Sequence, residues 1–243
     1  MSWYRSRALQ TAVLMGRSKS YVQQLLGEFG ASDFVVLNGT QGDDTFPNLL
    51  PSGGLTLSFN SGSMSTTLQP DGSPYIAGGS EVEIPFTSFN ANDKTFVFVI
   101  VPDTEDLSTN RHYILRIDTD TGVDEIRIFY STLADRISFH YIGGGTNEPI
   151  EVDGLVAGTR YVCVYRVRSA TDNVEATING ATAGTPQAIA TDWVSSTPND
   201  STTVIGNIAE GGGEILSGLF SPIWIFDRVL TNTEVQRVTD ILS

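Results

Sequence analysis

The sequence predicts an all-β protein: an antiparallel β-sandwich of jelly-roll type, preceded by an N-terminal amphipathic α-helix and an extended arm. Three observations lead there. From Leu55 onward, short alternating or apolar runs recur, separated by turn residues. Two runs, Thr95–Val101 (TFVFVIV) and Ile223–Phe226 (IWIF), are continuously apolar, as in strands covered on both faces. Residues 2–27 repeat apolar residues at helical spacing, with basic and polar residues between them.

The chain divides accordingly into a helix (1–30), an arm or linker (31–54) and a β body (55–243). In the helix, Trp3, Leu9, Val13, Tyr21 and Leu25 fall on the apolar face, and Gly27 and Gly30 are read as ending it. No other long helix offers this face a partner; the candidates are its own sandwich, a sister subunit, another protein and a lipid surface, and a protein partner that assembles the chain is the preferred expectation. The arm is dense in breakers, among them Asn38-Gly39, Pro47 and Pro51, with one short strand over Phe34–Leu37. The body is read as about ten short strands, among them 55–59, 81–86, 95–101, 112–118, 124–130, 136–142, 161–168, 174–178, 202–205 and 218–226. Thr119-Asp120-Thr121-Gly122 and Asn179-Gly180 read as hairpin turns. Tyr161, Cys163, Tyr165 and Val167 share one strand face, which makes Cys163 a small buried residue. After the last strand, Thr231 and Glu234 have the spacing of a capping box that starts a final helix.

Composition narrows the function. The chain has 243 residues, 40 % hydrophobic and 17 % charged, which suits a globular body large enough to fold without disulfides. A single cysteine rules out an internal disulfide. Net charge is −14, against nucleic acid as a partner. Residues 1–27 hold Arg5, Arg7, Arg17 and Lys19 and no acid, so the remaining 216 residues carry a charge of −18. A basic helix on an acidic body suits attraction between neighbouring copies, hence a homo-oligomer. No run is long and apolar enough for a membrane span. The stretch after Arg7 is too short and polar, with Gln10 and Thr11, for a signal peptide.

Catalytic sets are not expected. Glu81-Val82-Glu83 offers two carboxylates on one strand face, without the third of a glucanase strand, and Pro85 suggests an edge strand. His112 and His140 stand alone in strand patterns, without the spacing of metal ligands. The Gly runs at 143–145 and 211–213 lack the Lys-Ser/Thr of a phosphate loop. Asp118, Asp120, Asp124 and Glu125 crowd one hairpin turn and are a calcium candidate, against the plainer reading of a solvated acidic turn. Calcium is the one cofactor considered. For a sugar, Trp193 beside Asp192 in a Ser/Thr/Pro/Asn-rich loop, and Tyr75 after Ser73-Pro74, are candidate aromatic platforms; packing of a loop onto the sandwich is the alternative.

The order of motifs resembles that of laminin-G-like domains in the concanavalin A-like lectin and glucanase jelly rolls, over roughly residues 55–240. The match rests on FVFVIVP (96–102), YRVR…VEATING (165–180), IGN (205–207) and the closing FDRVLTNTE (226–234). The resemblance implies a lectin-like body; relatives bind calcium at loop carboxylates, although no residue here matches a ligand motif. An acidic, cysteine-poor β chain with such an arm also looks similar to bacteriophage virion components. The expectation is therefore a non-enzymatic structural or assembly protein of a virion, anchored by its helix. The alternative is a carbohydrate-binding lectin at a cell surface or outside the cell.

Overall fold

The computed structural model describes residues 21–29, 34–36, 45–46, 57–61, 64–71, 74–77, 81–83, 89–102, 112–119, 122–131, 135–194, 197, 204–206, 218–221 and 223–243. Two antiparallel sheets face each other. The first is organised around β7 (Thr95–Pro102). On one side β7 pairs with β12 (Tyr161–Arg168), followed by β13 (Asn173–Ile178) and β14 (Ala181–Ala188). Its other side is shared. β16 (Gly218–Phe220) lies against Ile100–Pro102 and leads to β5 (Pro74–Ala77) and β4 (Met64–Leu68). β17 (Trp224–Phe226) lies against Thr95–Val97 and leads to β1 (Phe34–Val36). The second sheet runs β11 (Thr146–Val152), β10 (Arg136–Gly143), β9 (Glu125–Ser131), β8 (His112–Asp118), β15 (Val204–Gly206), β6 (Glu81–Glu83), β3 (Leu57–Ser61) and β2 (Thr45–Phe46).

The two continuously apolar runs explain the layering. In β7, Phe96, Phe98 and Ile100 enter the core between the sheets, while Val97 and Val99 enter a second core on the outer face. Ile223 and Ile225 likewise face inward, and Trp224 and Phe226 outward. Period-two alternation sends successive side chains to opposite faces, so a strand needs apolar residues at every position only where both faces are covered. The cover is helical. α1 (Tyr21–Phe29) and α2 (Asn232–Leu242) lay Tyr21, Leu25, Phe29, Val235, Val238 and Leu242 on the outer face of the first sheet.

This corrects the assembly reading of the N-terminal helix where it is described. Tyr21 and Leu25, expected to meet another protein, are buried in their own chain, Leu25 at 0 % exposure. Phe29 packs edge-to-face on Phe226 at 5.3 Å between centroids. The Tyr21 amide donates to Asp71 Oδ2 at 2.6 Å. Arg160 lies over the Tyr21 ring and donates through Nε to Tyr75 Oη at 3.2 Å. The helix also continues through Gly27 to Phe29. Trp3, Leu9 and Val13 lie outside the described residues. The arm contributes β1 to the first sheet and β2 to the second.

Two further readings change. The Glu81–Glu83 strand is not an edge, since it pairs with β15 on one side and β3 on the other. The true edges include β11 and β14, both unread in the sequence. Each contains a proline (Pro149, Pro186) and mostly exposed or half-exposed residues, so neither shows a core-seeking alternation. The Asn179-Gly180 turn forms as expected, with φ of 51° and 78°, the two left-handed positions of a tight hairpin. The Thr231–Glu234 capping box is likewise formed, and Cys163 is buried in the inner core, where burial raises its thiol pKa.

Candidate functional site

Four of the sequence candidates, Asp118, Asp124, Asp192 and Trp193, lie at one end of the sandwich, where the β8–β9 hairpin turn meets the 189–194 segment. Here the residues serve the fold. Asp124 is fully buried; its Oδ1 accepts from the Gly144 amide at 2.8 Å and its Oδ2 from the Val194 amide at 3.1 Å. A side chain at Gly143 would collide with the Thr191 carbonyl, so the glycine run is what lets this segment cross so closely. Asp118 is held by Arg116 at 3.2 Å. Glu125 takes Arg116 Nε at 2.6 Å and also pairs with Arg127. Asp118 and Glu125 are thus ion-paired with two arginines, Arg116 and Arg127, on the strands of the hairpin. Asp120 lies outside the described residues. No cluster of three or more metal-ligating side chains occurs among the described residues.

Trp193 is not a sugar platform in this structure. It is 2 % exposed and packs edge-to-face on Phe89 at 5.7 Å, with Tyr141 at 6.4 Å. Asn92 fixes its backbone, accepting from Trp193 N at 3.2 Å and donating to Trp193 O at 3.1 Å. Asp192 is exposed beside it. Tyr75 is 4 % exposed, in the outer core beneath α1. Both rings were bland in sequence because a loop tryptophan that packs inward has the same neighbours as one that points out. His140 is bound to Asn147 at 2.9 Å between Nδ1 and Oδ1, stacked near Phe129.

A cleft lies elsewhere, on the outer face of the first sheet where α2 ends its cover. It has a volume of about 410 Å³ and is lined by Arg166 and Arg168 of β12, Glu175 and Thr177 of β13, Thr182 and Pro186 of β14, and Asn232, Val235 and Gln236 of α2. Alternation places these groups. On β12 the outward positions read Val162, Val164, Arg166, Arg168, apolar under the helices and cationic beyond them. On β13, Glu175 and Thr177 share that face, with Arg166 directly opposite Glu175 in register. This switch from valine to arginine along one face was the signal in the sequence.

Arg166 forms the floor. It is 4 % exposed; its Nη1 donates to Leu230 O at 3.0 Å and to Asn232 Oδ1 at 2.7 Å, and its Nη2 meets Glu175 Oε2 at 2.6 Å. Arg168 approaches the same oxygen at 3.3 Å. Burial lowers the Arg166 pKa, opposed by the Glu175 charge, and a guanidinium has far to fall before it loses its proton. Three buried polar atoms of the lining find no hydrogen-bond partner among the described residues: Arg166 Nε, Arg168 Nε and Thr177 Oγ1, the last on a residue 5 % exposed. Buried polar groups are nearly always paired, so such atoms on a cleft wall are notable.

A family profile for the concanavalin A-like lectin/glucanases superfamily matches residues 77–236. The chain belongs to that superfamily. No curated protein sequence gives a match. Among solved structures, the botulinum neurotoxin serotype D binding domain superposes with a TM-score of 0.63 at 13 % identity, covering 86 % of this chain and 52 % of that one. A mutant Trypanosoma rangeli sialidase displaying trans-sialidase activity gives 0.59 at 11 %, covering 93 % and 38 %. Domain 4 of AbnA, a GH43 extracellular arabinanase from Geobacillus stearothermophilus, solved in complex with arabinotriose, gives 0.59 at 14 %, covering 85 % and 99 %. These likenesses concern the fold, which is lectin-like. The chain spans about half the length of the toxin domains it matches. No helix among the described residues is long and apolar enough to cross a membrane.

Proposed function

We propose that this chain is a non-catalytic carbohydrate-binding module, and that the saccharide sits in the cleft between β12–β13 and α2. The observation that carries this reading is the set of buried polar atoms without a hydrogen-bond partner among the described residues, Arg166 Nε, Arg168 Nε and Thr177 Oγ1, on the wall of a cleft that Asn232, Gln236 and Thr182 also line. Sugar hydroxyls both donate and accept, and this mixture of amide, hydroxyl and guanidinium groups suits them. Superfamily membership supports the reading, as does a fold neighbour crystallised with arabinotriose.

Glycoside hydrolysis needs two carboxyls roughly 5–9.5 Å apart. Among the described lining residues only Glu175 is acidic, and both arginines hold it. Display on a larger assembly has less support, because Tyr21 and Leu25 of the presumed anchor are buried at home. The test is a glycan array with and without EDTA, repeated with Asn232→Ala. Binding that survives EDTA and weakens in the variant supports the module. Absence of any binder in either buffer sinks it.

A further inference from the structure

The proposal above leaves open which saccharides enter. Resting on that reading, we infer that the cleft selects acidic saccharides, those carrying a carboxylate on the sugar ring, over neutral ones of the same stereochemistry.

The chain is strongly acidic, with a net charge of −14. In the cleft the balance reverses: Arg166 and Arg168 face a single acid, Glu175. The two guanidiniums share one carboxylate oxygen, at 2.6 and 3.3 Å, so one positive charge is left over. Arg166 is fixed by its bonds to Leu230 O and Asn232 Oδ1 and cannot swing away. Arg168 is more exposed, and its contact with Glu175 runs through Nε, with no bond of its terminal nitrogens among the described residues. The cleft also borders the first turn of α2, to which Asn232 and Val235 belong; the acid of that turn, Glu234, is itself held by Arg228 and the Thr231 amide. A guanidinium offers paired donors that match a carboxylate. Thr177 Oγ1, buried and without a partner among the described residues, supplies a further donor to an oxygen at the back wall. A volume of about 410 Å³ accommodates a small ligand rather than a flat polymer face. One surplus charge, fixed donors and a limited volume together describe a site for one sugar carboxylate with hydroxyls around it.

The experiment is calorimetric titration of the full chain with trigalacturonate and, separately, galactotriose, at low salt and at 0.5 M NaCl, with inorganic sulfate as a competitor. The expected result is at least tenfold tighter binding of the acidic trimer at low salt, a gap that narrows in high salt, and only weak competition by sulfate. In R168Q the gap should close. In T177V both affinities should fall while the melting temperature holds or rises, because a buried hydroxyl without a partner has been removed. Equal affinity for the two trimers, unchanged in R168Q, overturns the acidic preference and leaves the module standing. Sulfate competing as strongly as the trimer overturns it as well, assigning the site to a simple anion. Binding of neither trimer at millimolar concentration overturns the acidic preference; if the glycan array also yields no binder, the module falls with it.

Discussion

Asp124 uses both carboxylate oxygens on backbone amides from two different segments, Gly144 and Val194. Replacing it by alanine leaves two amides without their acceptor at a buried site. Hydrogen bonds to a charged group contribute about 1.5–3 kcal/mol each, so losing both in D124A should lower stability by roughly 3–6 kcal/mol in denaturant melts. Calcium and EDTA should leave the unfolding midpoint of the unaltered chain unmoved; a calcium-dependent rise would restore the metal reading. Trp193 follows the same logic, since W193A removes a fully buried aromatic and should cost about 3–5 kcal/mol. At this scale the sequence reading was weakest. It brought Asp124 and Trp193 forward, and these two do meet at one end of the fold. It misassigned their work, because period and composition say which residues are polar or aromatic and not whether a loop folds them inward. Arg166 and Thr177 were legible only through a change of character along one strand face, a signal that counts for little until the strand's partner is known.

Elements were more legible, for a physical reason. A capping box, an Asn-Gly turn and a doubly apolar strand each specify a local structure through a few neighbouring residues. Thr231, Glu234, Asn179, Gly180 and the β7 run all appear as read. The edge strands β11 and β14 escaped because an edge needs no apolar alternation, and α1 misled because an amphipathic face does not name its partner. The final helix allows two tests. Thr231 Oγ1 accepts from Glu234 N at 3.3 Å, and the Glu234 carboxylate takes the Thr231 amide at 2.8 Å. T231A should cost about 1 kcal/mol, which lowers Tm by about 2–4 °C in a chain of this length. Glu234 is also bound bidentately by Arg228, which, with the Thr231 bonds, holds its pKa down to about 2 from an ordinary 4.5. A carboxyl that ionises more readily when folded stabilises the fold above its unfolded pKa. That contribution should be full above about pH 4.5 and lost progressively as pH falls toward 2. E234Q should flatten this part of the stability–pH curve; an unchanged slope would show that other carboxylates dominate it.

At the scale of the whole molecule, the first sheet has two covered faces, and α1 and α2 together cover the outer one. Val97, Val99, Val162, Val164, Trp224 and Phe226 would otherwise meet water. The second sheet has no such cover among the described residues; its outward face instead carries the Arg116, Asp118, Glu125 and Arg127 pairs. The described helix α1 is therefore part of the fold's own core, tied in by the Phe29–Phe226 and Arg160–Tyr21–Tyr75 contacts. Burying side chains the size of Tyr21, Leu25 and Phe29 contributes about 1.5–3 kcal/mol each, as an upper bound. A chain lacking residues 1–30 should melt several degrees lower and bind the dye ANS through the uncovered face. L25D in the full chain isolates that face from everything else the truncation removes. It should reproduce most of the destabilisation, because the aspartate would have to enter a site of 0 % exposure. An assembly device would behave differently. Its loss would change the oligomeric state by light scattering while the isolated body kept its melting temperature, and that pattern would return the helix to a role between molecules.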